Sequence, residues 1–184
     1  YSLSTPIWIG FGNDRGLGIS CFGSYLEDSM ESILYSDAEV GMMCKNGGGT
    51  SGYFGNLRHR GAQIKNNGKS SGAVHFMQKF DTTANIISQG SSRRGHFAAY
   101  LDIDHPDIEE FLSIRSEGHP IQDLSFGVCV PTQWLEEMRN GDEKKRKIWA
   151  KVIQVRSEFG FPYVFFSDVV NNNTVDVYKD KGMR

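Results

Sequence analysis

Gly18-Ile19-Ser20-Cys21-Phe22-Gly23-Ser24-Tyr25-Leu26-Glu27-Asp28 is the stretch around which the rest of the chain is organised. Ile19 to Leu26 reads as a strand, and it hands over to a helix whose first turn opens at Asp28 and Ser29. Strands and helices keep alternating from there to the end of the chain, which implies parallel pairing with right-handed crossovers. An open sheet and part of an α/β barrel both fit that order. The stretch also carries two kinds of chemistry. Cys21 reads either as a reactive thiol or as a small buried hydrophobe. Asp28 reads either as a plain helix cap or as a carboxylate that holds a ligand hydroxyl.

The totals bound the answer. At 184 residues, with 39% apolar and 23% charged side chains, the chain has the composition of a globular domain that buries a core. Twenty basic against 22 acidic residues leave a formal charge of −2, so no global attraction to nucleic acid or to a membrane surface exists and any basic site is local. No apolar run approaches a membrane span and no secretory leader is visible. Cys21, Cys44 and Cys129 are widely spaced, without a Cys-x-x-Cys pair, which argues against a disulfide scaffold or structural zinc and for a reducing compartment. Tyr1, not Met, opens the chain, as expected of an excerpt or a processed piece.

Taken in order, Leu3 to Phe11 is apolar enough for a strand, with Pro6 confining it to an edge or a strand start. Gly12 to Gly16 is a turn cluster. A helix from Ser29 to about Met43 places Met30, Ile33, Leu34 and Val40 on one face. From Asn46-Gly47-Gly48-Gly49 to Gly72 the sequence reads as one long polar loop with Arg58, His59, Arg60, Lys65 and Lys69, and loops of that length are usually functional or mobile. Ala73 to Ile87 is the clearest helix, with Phe76, Met77, Phe80, Ala84 and Ile87 at helical spacing. A second glycine and arginine loop, Ser88 to Gly95, precedes a nearly continuous apolar strand from His96 to Ile103. Asp104 and Pro106 start a helix through about Arg115. Leu124 to Val130 is a strand, Pro131 opens a short helix, and a longer one runs from about Asp142 to Phe159 on Ile148, Val152, Val155 and Phe159. Tyr163 to Ser167 is the last strand, and Asn171-Asn172-Asn173-Thr174 reads as a polar loop.

Formal nucleotide motifs fail. Gly68-Lys69-Ser70 has the end of a P-loop, but Gln63 stands where its first glycine belongs, and Arg15 stands where Gly10-x-Gly12 would need a third glycine. Two arginine-bearing, glycine-rich loops flanking one helix remain; their plain reading is solvated surface, their functional reading an anion cradle. The five histidines show no ligand spacing, so no metal site is expected.

Together these stretches resemble the large, catalytic subunit of ribonucleotide reductase. Leu3-Ser4-Thr5-Pro6, Ser20-Cys21 and Asp28-Ser29-Met30 resemble its opening barrel segment. Gly47-Gly48-Gly49 with Asn56-Leu57-Arg58 and Gly61 resembles its first specificity loop, and Ser88-Gln89-Gly90 with Arg93 and Gly95 its second. Phe166, Asp168 and Asn171 to Thr174 resemble the approach to its catalytic loop. The resemblance implies an α/β fold, the first half of the family's ten-stranded barrel, incomplete in this chain. Residues 1–184 would form one segment carrying the effector loops 45–72 and 88–95. It implies that Cys21 reduces the substrate ribose and ends in a disulfide, and that Thr5, Ser20 and Gly49 contact substrate. It places Asp28, Ser29, Met30, Arg58 and Lys65 around a nucleoside triphosphate effector, a deoxynucleotide or ATP, and makes Ser88, Gln89, Gly90 and Arg93 the loop that reads effector identity at the substrate base. Guanidinium and ammonium groups beside glycine-rich backbone suit a triphosphate, and a carboxylate suits a ribose hydroxyl.

The family's radical-bearing cysteine is expected beyond Arg184, and Cys44 and Cys129 match nothing catalytic. The chain is therefore expected to be one segment of a split, interrupted or cut reductase, inactive without the rest of the large subunit. The implied partners are a small subunit, a thioredoxin- or glutaredoxin-type reductant, and a second copy meeting it through the effector region; the radical comes either from that subunit, metal-containing, or from a cobalamin. No cofactor is expected on this segment, no nucleic-acid or membrane partner is expected, and the implied location is cytoplasmic. The competing expectation is a stand-alone deoxynucleotide-binding regulatory module without catalysis.

Overall fold

A computed structural model describes residues 2–12, 18–66, 68–87 and 94–182. Five parallel strands form one sheet in the order β1-β2-β3-β4-β5, with β1 at Cys21–Tyr25, β2 at Gly49–Tyr53, β3 at His96–Asp102, β4 at Ser125–Cys129 and β5 at Tyr163–Phe165. Spatial order equals chain order throughout. A parallel sheet that steps in one direction with right-handed crossovers keeps its helices on one face, whereas a doubly wound sheet must reverse to cover both. Between the two architectures open to the sequence, this order selects a segment of an α/β barrel.

The helices are α1 (Thr5–Gly10), α2 (Met30–Lys45), α3 (Ala73–Ile87), α4 (Ile108–Phe111), α5 (Thr132–Arg139), α6 (Glu143–Phe159), α7 (Ser167–Asn172) and α8 (Asp176–Asp180). One core fills the space between sheet and helices. Phe97, Ala99 and Leu101 of β3 and Phe126 and Val128 of β4 meet Ile33, Val40 and Cys44 of α2, Val74, Met77, Phe80 and Ala84 of α3, Phe111 of α4, Trp134 of α5 and Val152 and Val155 of α6. Phe54, fully buried just after β2, stands edge-on to Phe80 at 5.4 Å and to Phe97 at 6.1 Å between centroids. The other sheet face is open. Cys21, Tyr25, Tyr163 and Phe165 point to it and are exposed, as expected of an inner barrel wall whose remaining strands lie outside these residues.

Several expectations are corrected. Leu3 to Phe11 is not a strand: Pro6 in the first turn after Ser4 suits a helix start, and Thr5–Gly10 is helical with nothing buried. The supposed loop from Asn46 to Gly72 contains the interior strand β2 and, further on, a small hairpin closed by an antiparallel bridge between Gln63 and Lys69. Gly52 holds β2 in the sheet by having no side chain, since a Cβ there would lie 2.9 Å from Leu26 and 3.0 Å from Phe97. On α2, Met30 and Leu34 are exposed, and the buried stripe runs through Ile33, Ser36, Asp37, Val40, Gly41 and Cys44. The helix expected after Pro106 is one turn, Ile108–Phe111, and Asn171 and Asn172 lie in α7 rather than in a loop. Phe76 and Ile148 are only half-buried, and Ile87 and Phe159 lie exposed at the ends of their helices. Asn13 to Gly16 lie outside the described residues.

Candidate functional site

Register builds the first half of the site. Cys21 of β1 pairs with Gly49 of β2, and Gly49 with His96 of β3, so the three form one row on the open face at the N-terminal edge of the sheet. The Ser20 hydroxyl lies 3.9 Å from the Cys21 Sγ, and the Gly49 N–H donates to the Ser20 carbonyl at 2.6 Å. Glycine is required here by close approach. A Cβ on Gly48 would sit 2.9 Å from the Phe22 ring, and one on Gly49 3.3 Å from the Ser20 carbonyl oxygen. Ser20, Cys21 and Gly49 are thus brought together, while Thr5 stands exposed at the start of α1, with no hydrogen bond joining it to them among the described residues.

The three thiols differ sharply. Cys21 is exposed, and Cys44 and Cys129 are buried. Burial pushes both buried thiols up, Cys129 to about 12, with the Asp102 carboxylate adding to the shift there. Asp102 also accepts a hydrogen bond from the Tyr53 hydroxyl; burial first, and then that bond, raise the Tyr53 phenol above its ordinary range.

A second cluster forms at the opposite, C-terminal edge, where β1 runs into α2. Its distance from Cys21 is at least the length of four extended residues, about 13 Å. Ser29, not Asp28, caps α2, its hydroxyl accepting from the Ser32 N–H at 3.1 Å. Asp28 is left for another task. Its Oδ2 takes the Arg58 Nε–H at 2.7 Å and its Oδ1 the Arg58 backbone N–H at 3.2 Å. Met30 is exposed at the first position of α2. Lys65 sits exposed in the hairpin between Gln63 and Lys69, and its side chain makes no hydrogen bond or ion pair to Asp28 among the described residues. Arg58 and Asp28, 30 positions apart in sequence, are therefore one unit. Ser88, Gln89, Gly90 and Arg93 lie outside the described residues. Gly95, which follows them, packs so close to α2 that a Cβ would fall 2.6 Å from the Cys44 Cα.

A third cluster escaped the sequence reading. His105 and Asp107, both buried, follow β3 in the turn before α4. Asp107 accepts the Arg60 N–H at 3.0 and 3.1 Å on its two oxygens and the Ala73 N–H at 3.0 Å. The Asp107 N–H donates to His105 Nδ1 at 3.0 Å, so the His105 proton sits on Nε2 and is donated to the Leu57 carbonyl at 3.0 Å. Arg60 and Glu110 add a two-pronged ion pair at 2.8 and 2.6 Å. The signal was present in the sequence: Asp104, His105 and Asp107 crowd three titratable side chains directly after an apolar strand, where each buried polar group must find a partner. Among the described residues no group of three or more His, Cys, Asp or Glu side chains is placed to hold a metal ion, and no helix is long and apolar enough to cross a membrane.

A one-directional parallel sheet with helices on one face, an exposed cysteine on the open face and an Asp–Arg pair beyond the strand ends is the arrangement of a segment of an α/β barrel. The family model for the ribonucleotide reductase barrel domain matches residues 19–145, and the chain belongs to that family as a segment of the large subunit. The alpha subunit of the class Id ribonucleotide reductase of Actinobacillus ureae is 54% identical and superposes with a TM-score of 0.89 over 99% of this chain and 33% of that one. The putative ribonucleoside-diphosphate reductase large subunit of Frog virus 3 is 27% identical over the whole chain and 35% of its own length. The vitamin B12-dependent ribonucleotide reductase of Streptomyces coelicolor is 37% identical over 92% of this chain and 19% of its own. The chain thus spans about a third or less of the relatives it matches.

Proposed function

We propose that this chain, within a complete large subunit, reduces ribonucleoside diphosphates to deoxyribonucleotides, with Cys21 as one of the two reducing thiols. The observation that carries the reading is the contrast among the cysteines: Cys21 is exposed on the open face beside Ser20 and Gly49, and the other two are buried. Two thiols give up two electrons and two protons, forming a disulfide. The ribose C2′–O bond breaks, the oxygen leaves as water, and C2′ gains hydrogen. Cys21 forms its disulfide with a cysteine outside this chain. Thr5, Ser20 and Gly49 bind the substrate, and the bare backbone at Gly48 and Gly49 lets it approach the sheet edge. A radical from a partner, a metal-containing small subunit, starts the chemistry, and a thioredoxin- or glutaredoxin-type protein restores the thiols.

Control belongs to the other sheet edge. Asp28, Ser29 and Met30 hold the sugar and flank of a deoxynucleoside triphosphate or ATP, Arg58 and Lys65 its phosphates, and Ser88, Gln89, Gly90 and Arg93 carry its identity toward the substrate base. Dimerisation through this region is supported by Met30, Leu34, Tyr35 and Met42, large apolar side chains exposed along α2. Three free cysteines suit a reducing, cytoplasmic compartment.

Cys21→Ser in the complete enzyme tests the catalytic role. Serine keeps a small hydrogen-bonding group but cannot form a disulfide. Sustained turnover should vanish while effector binding persists; undiminished multiple turnover would refute the assignment. Nucleotide binding by the unmodified assembly without any reduction would favour a regulatory module instead.

A further inference from the structure

We propose that the turn between β3 and α4 is a clamp that sets the effector site, with Asp107 as the positioning residue for Arg58. The inference rests on the reading of Arg58 as a phosphate ligand. Arg58 lies between two pinned backbone points. On one side the Leu57 carbonyl is held by the His105 imidazole at 3.0 Å, and on the other the Arg60 N–H is held by both oxygens of Asp107. The Ser70 hydroxyl closes on the Arg58 carbonyl itself at 3.4 Å. A guanidinium at the end of a long, freely rotating side chain finds a fixed carboxylate only if its backbone is fixed, and the clamp fixes it from both sides.

The same Asp107 Oδ2 receives the Ala73 N–H, the first residue of α3. A carboxylate at a helix start satisfies an otherwise orphaned donor and suits the helix dipole. One buried charge therefore joins the loop that carries Arg58 to the helix that runs toward residues 88–95. Gly72 makes this joint possible: at φ +88° it turns the chain into α3, and a Cβ there would lie 2.9 Å from the Asp107 oxygen. Nothing in the Cys21 chemistry uses Asp107 or His105, and the loop from Phe54 to Gly72 would still be tethered to the sheet by Phe54 and Leu57, both buried. What the clamp adds is the precision of Arg58.

Asp107→Asn separates positioning from mere support. Asparagine keeps the shape but turns one of the two acceptor oxygens into an NH2 group, so one side of the clamp faces a backbone N–H with a donor. In the complete enzyme, with dTTP as the probe, the concentration for half-maximal binding should rise at least tenfold, and turnover should recover at saturating dTTP. A purely structural residue would instead lower the rate at every dTTP concentration with half-saturation unmoved, and that result overturns the proposal. Arg58→Ala is the companion measurement. If it weakens dTTP and Asp107→Asn does not, the clamp is refuted and the effector assignment stands; if Arg58→Ala has no effect, both fall. Glu110→Gln, which neutralises only the one-third-exposed carboxylate paired with Arg60, folds even if the Asp107 variant does not. It should weaken dTTP about threefold, the scale of an exposed ion pair, and an unchanged affinity counts against the clamp.

Discussion

Replacing Arg58 with alanine removes a guanidinium whose Nε is already committed to Asp28 at 2.7 Å, with both side chains about one-third exposed at 35%. With Nε on the carboxylate and Nη1 reaching the Gln63 carbonyl at 3.5 Å, Nη2 and the second hydrogen of Nη1 remain as donors, so a phosphate is added to the pair instead of competing with it. A hydrogen bond between charged partners is worth about 1.5–3 kcal/mol. The alanine variant loses that bond and also leaves Asp28 with only the backbone N–H of residue 58, at 3.2 Å, to offset its charge in front of a triphosphate. The repulsion moves the expected loss to the upper part of the range, about 2–3 kcal/mol, or roughly thirty- to a hundred-and-fiftyfold in effector affinity. The cost to folding is smaller, no more than about 1 kcal/mol, because an exposed ion pair contributes little. The assay is dTTP binding to the complete large subunit, with Asp28→Asn and the double variant completing a cycle. The two single effects should not add, since the side chains act as a unit. An affinity within about twofold of the unmodified enzyme, or strict additivity, would show that the pair is not the effector site.

Four further outcomes are expected. Iodoacetamide at pH 8 should label Cys21 of the 184-residue chain and spare Cys129, whose thiol, pushed up to about 12 and buried, is thiolate in only about one molecule in ten thousand; equal labelling would contradict the fold around β4. Phe54→Ala should lower stability by about 3–5 kcal/mol, read as a shifted urea midpoint, because a fully buried ring with two edge-on neighbours leaves a cavity. Gly95→Ala should be destabilising, because its Cβ would meet the Cys44 backbone, which cannot rotate aside. Residues 1–184 by themselves should show no reductase turnover and should self-associate through the open sheet face, as size-exclusion chromatography would report; multiple turnovers by this chain would remove the need for an external thiol.

Regular periodicity was readable in the sequence and irregular demands were not. α3 starts and ends where its helical spacing of apolar residues says, and β3 and β4 appear as the apolar runs expected of strands inside an α/β fold. β2 is invisible to the same test because Gly49-Thr50-Ser51-Gly52-Tyr53 has no large apolar side chain for a pattern; it is a strand because β1 and β3 flank it and only glycine fits between Leu26 and Phe97. α1 misled because apolar residues around a proline suit an edge strand and a helix start equally. Of the candidate site residues, Cys21 and Asp28 stood out by residue type and Arg58 by its basic loop. Ser20, Gly49 and the grouping of all five came only through family resemblance, since no local motif joins residues from β1 with the segment after β2. The Asp28–Arg58 pair and the Asp107 clamp are long-range contacts, spanning 30 and 47 positions, which no one-dimensional pattern encodes.

The most direct test of Cys21 as a reducing thiol is disulfide mapping by mass spectrometry of the complete, reductant-free enzyme after it has turned over once and stopped. The prediction is a cross-link from Cys21 to a cysteine outside residues 1–184, with Cys44 and Cys129 still free. Cys21 recovered as a free thiol from enzyme whose activity has ended would contradict it.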